Sequence, residues 1–154
     1  EKEGEGKEVW LAKKALTEIV STEKSFLLDL VLLVTHYQTP ITTNQLFPPN
    51  LATAVFLNTT RLLDLHTTIV KEFGDDPDLM SVINAYEKVC PDLVKEYVFY
   101  SKGYPNAIEL LQENDNKEFL LFCENSRNIP ANKGLSLQDF LIKPIQRLCK
   151  YPLL

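Results

Sequence analysis

No stretch of this chain is both long and apolar enough to cross a bilayer. The longest hydrophobic run, SFLLDLVLLV at 25–34, is interrupted by Asp29 and reads as a buried helix. A block of Lys and Arg is missing too. With 16 basic against 21 acidic residues and a formal net charge of -5, the chain lacks the concentrated positive charge that nucleic acid or an anionic membrane surface requires, so a protein partner or small substrate is expected. Cysteine is sparse: Cys90, Cys123 and Cys149 are widely spaced, form no C-x-x-C and cannot all pair with one another. They read as reduced thiols of a cytoplasmic protein, mostly small core residues. His36 and His66 fall on different helices with no second ligand at metal spacing, and each is expected to be half-buried or solvent-facing, so no metal is expected. The glycines of EGEGKE have no upstream strand and no Lys-Ser/Thr ending, which excludes a phosphate loop. No Ser, Cys or acid pair carries the context of nucleophilic or glycosidic chemistry, so neither a cofactor nor covalent catalysis is expected. Sustained period-two alternation, hairpin dipeptides and internal repeats are absent as well, and the fold class is all-α.

What is present is helical periodicity over one domain of 154 residues, enough for a single core without metals or disulfides. Residues 1–7 have neither a signal core nor a cleavage pattern and read as a flexible leader, with the domain occupying 8–154. From about Lys7 to Tyr37 the apolar residues Ala12, Ala15, Ile19, Phe26, Leu30, Leu33 and Tyr37 recur at helical spacing, and Leu27, Leu28, Val31, Leu32 and Val34 wrap the C-terminal half nearly all round. QTPITTNQLFPPN (38–50) is expected to break the chain before a second helix from Leu51 to Phe73, and GDDPD (74–78) ends that helix and caps the next. A short third helix covers Leu79 to Val89, Pro91 starts a fourth, and another spans Asn116 to Ser126. After the loop NIPANKG (128–134), Ser136 and Asp139 form a capping arrangement for the final helix.

That final helix carries the most information. On a helical wheel, Leu137, Leu141, Pro144, Ile145, Leu148 and Pro152 share a core sector, while Asp139, Lys143, Gln146, Arg147 and Lys150 gather opposite. Leu153 and Leu154 flank the polar sector, so Gln146, Lys150 and Leu153 form an i, i+4, i+7 line that suits a docking surface. Pro144 either starts a fresh segment or kinks a continuous one, and Pro152 bends the helix again. Glu23 falls inside the apolar stripe of the first helix, where an unpaired carboxylate is costly; an internal partner is expected, with Arg147 a candidate.

LSLQDFLIKPIQRLCKYPLL (135–154), LTEIVSTEKSFLLDL (16–30) and YSKGYPNAIELL (100–111) resemble, in order, the last, first and middle characteristic segments of Dbl homology domains, the exchange factors for Rho-family GTPases. The resemblance implies an elongated helical bundle whose first and fifth helices form the GTPase-binding face. It implies that Glu18 engages switch 1 and that Lys150, with Gln146 and Leu153 beside it, contacts the switch regions of a Rho-, Rac- or similar small GTPase. It implies a cytoplasmic factor, recruited to membranes by regions outside this chain. Phe26 stands where many members have tyrosine, and the family's final helix continues beyond the position matched by Leu154. The expectation is therefore a domain cut before its last helix is complete, with no pleckstrin homology module in view, an apolar strip open to self-association, and weak exchange activity by itself. The other reading is a non-catalytic module that binds a GTPase or another protein.

Overall fold

The computed structural model describes the backbone of residues 2–153 and the side chains of residues 6–152. Among the described residues eight α-helices carry the fold: α1 (Lys2–Leu32), α2 (Thr39–Thr43), α3 (Pro49–Phe56), α4 (Thr59–Phe73), α5 (Leu79–Glu113), α6 (Lys117–Arg127), α7 (Leu137–Leu141) and α8 (Lys143–Lys150). No strand occurs among the described residues, and none of their helices is long and apolar enough to cross a membrane. α4 lies lengthwise between α1 and α5, and α8 closes over α1 and α5. At about 1.5 Å per residue, α5 is roughly 50 Å long, which makes the bundle elongated.

The core runs along that length in three patches. Leu33, Tyr37, Phe56, Phe119, Leu137 and Phe140 fill one end. Phe26, Leu30, Leu62, Tyr97 and Tyr100 fill the middle. Leu65, Ile69, Phe73, Val82, Ala85 and Val89 fill the other end. The Tyr100 hydroxyl donates to the Leu141 carbonyl and that of Tyr37 to the Leu135 carbonyl at 3.0 Å, so both buried phenols tie the α7 region to long helices. Burial and nearby Cys123 push the Tyr37 phenol up to about 12.

Proline placement differs from expectation at two points, Pro40 and Pro91. Pro40 does not break the first helix: α1 passes through a π-helical segment, Leu33–Gln38, directly into α2, and the chain turns only after Thr43. A proline ring clashes with the carbonyl four residues back, and the widened π turn ahead of Pro40 relieves that clash. Pro91 and Pro105 both lie inside α5, which is one helix instead of two. Both are exposed, so water can replace the backbone partner each removes. The expected second helix, by contrast, is two, because the chain bends at Leu57 with φ +54 between α3 and α4.

Other expectations shift with packing. The backbone of most of the expected leader belongs to α1, which begins at Lys2. Ala12 and Ala15, expected on the core stripe, are exposed, and Leu28 is exposed too, so the C-terminal half of the helix is not wrapped all round. Cys90 and Cys149 are exposed, and only Cys123 is partly buried. His66, expected at least half exposed, is fully buried. The caps agree with the sequence: Asp78 and Ser136 each close a capping box, with Ser81 and Asp139 as reciprocal partners.

Candidate functional site

Between α1 and α8 lies an open groove lined by Thr22, Ser25, Phe26 and Asp29 on one side and Lys143, Gln146, Arg147 and Lys150 on the other. α8 exists as a separate segment because Pro144 sits in its first turn, where its missing N–H has no helical partner to lose. The break at Ile142 changes the phase of the final helix. Arg147, placed by the wheel among the solvated residues, is therefore buried, and Leu148 and Pro152, placed in the core, are exposed.

Gln146 and Lys150 remain exposed and stand together in the groove, as the sequence predicts. Glu18 is exposed on α1 one turn before Thr22, in a shallow adjoining depression with Lys14 and Ser21. The groove therefore brings Gln146 and Lys150 together, while Glu18 lies outside its lining, one helical turn from Thr22. Leu153 lies in a closing 3-10 turn, Tyr151–Leu153, and its side chain, like the whole of Leu154, falls outside the described residues.

Beneath the groove is a polar network that the sequence reading found only in part. Glu23, fully buried, accepts from Arg147 through both Nε (3.0 Å) and Nη2, the internal pairing expected of it. On its other oxygen it accepts from His66 Nδ1 at 2.6 Å, and the Tyr151 hydroxyl donates at 3.2 Å to the first. His66 Nε2 meets the Tyr97 hydroxyl at 2.8 Å, and the Arg147 guanidinium lies 4.6 Å from the centre of the Tyr151 ring. Burial pushes the Glu23 carboxyl up, but the hydrogen bond and charge of His66, with those of Arg147, outweigh it and hold the group below its ordinary range. Burial together with the Glu23 charge raises the phenols of Tyr97 and Tyr151. His66 had a legible signal: Leu62, His66, Ile69 and Phe73 recur at core spacing, so the imidazole sits on the buried stripe.

Chemically the groove offers an amide, two ammonium groups and hydroxyls above a floor of Phe26 and Arg147. One ammonium is engaged, with Lys143 Nζ 3.5 Å from Asp29 across the groove. Such a surface suits an extended protein ligand with polar groups to be read.

The described fold matches solved structures closely. The N-terminally truncated linker-DH/PH domains of p115-RhoGEF superpose with a TM-score of 0.86 at 20% identity, over 96% of this chain and 47% of that one. The DH/PH domains of PDZ-RhoGEF, in a complex with GTPγS-activated RhoA, superpose with a TM-score of 0.82 at 23% identity, over 92% and 43%. At the sequence level the chain is 31% identical over 149 residues to the myosin-M heavy chain of Dictyostelium discoideum and 32% identical over 148 residues to cell division control protein 24 of Saccharomyces cerevisiae. Each alignment takes in 92% of this chain, which spans 8% and 16% of the length of those two proteins. The RhoGEF domain profile matches residues 15–154. By that match and by its all-α bundle, the chain belongs to the RhoGEF, or Dbl homology, domain family.

Proposed function

We propose that this chain promotes nucleotide exchange on a Rho-family GTPase by binding the switch segments of the GTPase on the face formed by α1 and α8. The observation that carries this reading is the groove in which Gln146 and Lys150 of α8 stand beside Thr22 of α1, one turn from exposed Glu18. Exchange requires no covalent step on the protein. A GTPase holding its nucleotide with nanomolar to picomolar affinity resists release by about 12–16 kcal/mol, and an exchange factor works by binding the nucleotide-free form more tightly than the loaded one. In this reading Glu18 and Lys150 supply charge to the switch segments, Gln146 reads their backbone, and Leu153 adds apolar contact at the edge.

Release of a fluorescent GDP analogue from loaded Rho, Rac and related GTPases, with and without the chain, tests the proposal. Acceleration with at least one of them is expected. Glu18→Ala is expected to reduce it by at least about 2 kcal/mol, roughly thirtyfold, while leaving the melting temperature nearly unchanged, since the side chain is exposed. A chain that binds the GTPase yet leaves release unchanged at saturation is a non-catalytic module instead.

A further inference from the structure

The buried network beneath the groove does more than fill the core, because one branch of it leaves the core and reaches the backbone of the proposed binding face. Arg147 Nη1 donates to Thr22 Oγ1 at 3.0 Å, and Thr22 Oγ1 in turn donates within α1 to the Glu18 carbonyl at 2.7 Å, with the Ile19 carbonyl a longer second acceptor at 3.2 Å. Ser21 Oγ donates to the same carbonyl at 3.3 Å. A short chain of hydrogen bonds therefore runs from α8 to the turn of α1 that carries Glu18. Its α8 end is next to Gln146 and one turn before Lys150. The remaining guanidinium nitrogens are fixed on Glu23, which His66 and Tyr151 hold from other elements, so the donor that reaches Thr22 has little freedom of its own.

We infer that Arg147 and Thr22 are positioning residues for exchange: the bond from Arg147 to the Thr22 hydroxyl holds α1 and α8 in one register, a turn from Glu18 on α1 and beside Gln146 and Lys150 on α8. This rests on the exchange reading above. Glu23 and Arg147 already secure the helices against separation, and the Thr22 link adds control of their relative placement at the end where the exposed polar side chains stand. Two helices that are merely packed can slide by fractions of an ångström, whereas a directional, charge-assisted hydrogen bond onto a hydroxyl of the facing helix narrows that range.

Thr22→Val keeps the shape of the side chain and its β-branch while removing the hydroxyl, and Thr22→Ser keeps the hydroxyl. Both are expected to melt near the parent temperature, because the Glu23 contacts with Arg147 remain. Thr22→Val is expected to slow exchange about tenfold, the scale of one charge-assisted hydrogen bond, and Thr22→Ser to retain most of the rate. In a Lys150→Ala background the Thr22→Val loss is expected to shrink, since misplacing an absent ammonium changes nothing. A second readout needs no GTPase: spin labels at Lys24→Cys on α1 and at Cys149 on α8, with Cys90→Ser and Cys123→Ala, report the distance distribution between the helices. It is expected to broaden in Thr22→Val and to stay narrow in Thr22→Ser. An unchanged width in Thr22→Val, a serine variant no better than valine, or losses that simply add to Lys150→Ala would overturn the inference. Should the parent chain accelerate release from no Rho-family GTPase, the exchange reading fails, and the label distances decide by themselves whether the link positions the helices.

Discussion

Glu23 is where residue-scale chemistry weighs most in this molecule. Its carboxylate is fully buried with four donors around it, from Arg147, His66 and Tyr151. Removing its charge would leave a guanidinium buried without its partner, which costs about 3–5 kcal/mol. Glu23→Gln is thus expected to lower stability by that order in denaturant titration at neutral pH. The pH dependence has a definite sign. The folded carboxyl lies below its ordinary value of 4.5, so the stabilisation it supplies is complete above that value and drains away as pH falls toward the depressed folded value. Parent stability measured from neutral to acid pH is expected to fall more steeply through that window than stability of Glu23→Gln; parallel curves would show that other carboxylates dominate acid unfolding. The need for a partner was legible from an acid inside an apolar stripe. The identity of His66 and Tyr151 as two of the donors was not, since which distant side chains meet Glu23 depends on how the helices pack, and His66 was expected to face at least partly to solvent.

At the scale of the element, local rules hold wherever the deciding groups are neighbours in sequence and weaken where they are not. The capping boxes at Asp78 and Ser136 involve residues three apart and were readable directly. The corner at Leu57 was not, because its positive φ is held by packing. Gly103, in the interior of α5, is the element's answer to that corner: a Cβ there would overlap Leu57 Cδ2. Gly103→Ala sets a gain of about 1 kcal/mol in helix propensity against an overpacking cost of about 1–3 kcal/mol. A net loss of stability is expected. Combined with Leu57→Ala, the two substitutions are expected to cost about 1 kcal/mol less than their separate effects summed, by denaturant unfolding of all four proteins in the cycle. Simple additivity would mean that Leu57 yields to the new methyl group without strain.

Across the whole molecule, protection from unfolding should follow the three core patches. Every described residue of α1 from Gly6 to Ala15 is solvent-exposed, including Trp10 and Leu11, whereas Leu30, Leu62 and Tyr100 are almost wholly buried. Hydrogen exchange followed by mass spectrometry is expected to be fast in peptides from 6–15 and slowest around Leu30, Leu62 and Tyr100, where opening requires the bundle itself to part. Uniform protection along α1 would indicate a partner covering its N-terminal turns. The sequence by itself determined the all-α class, the capped starts of α5, α6 and α7, the exposure of Glu18, Gln146 and Lys150, and the pairing demanded by Glu23, because each follows from periodicity, local hydrogen bonding or the cost of a lone buried charge. Only the tertiary structure decided that Pro40 and Pro91 are carried within helices, that Arg147 turns inward while Leu148 turns out, and that Arg147 bonds to Thr22 on α1. Those outcomes depend on which face each helix turns to a neighbour distant in the chain, and a break such as that at Ile142 is enough to exchange the sides of Arg147 and Leu148 while Pro144, Gln146 and Lys150 keep theirs.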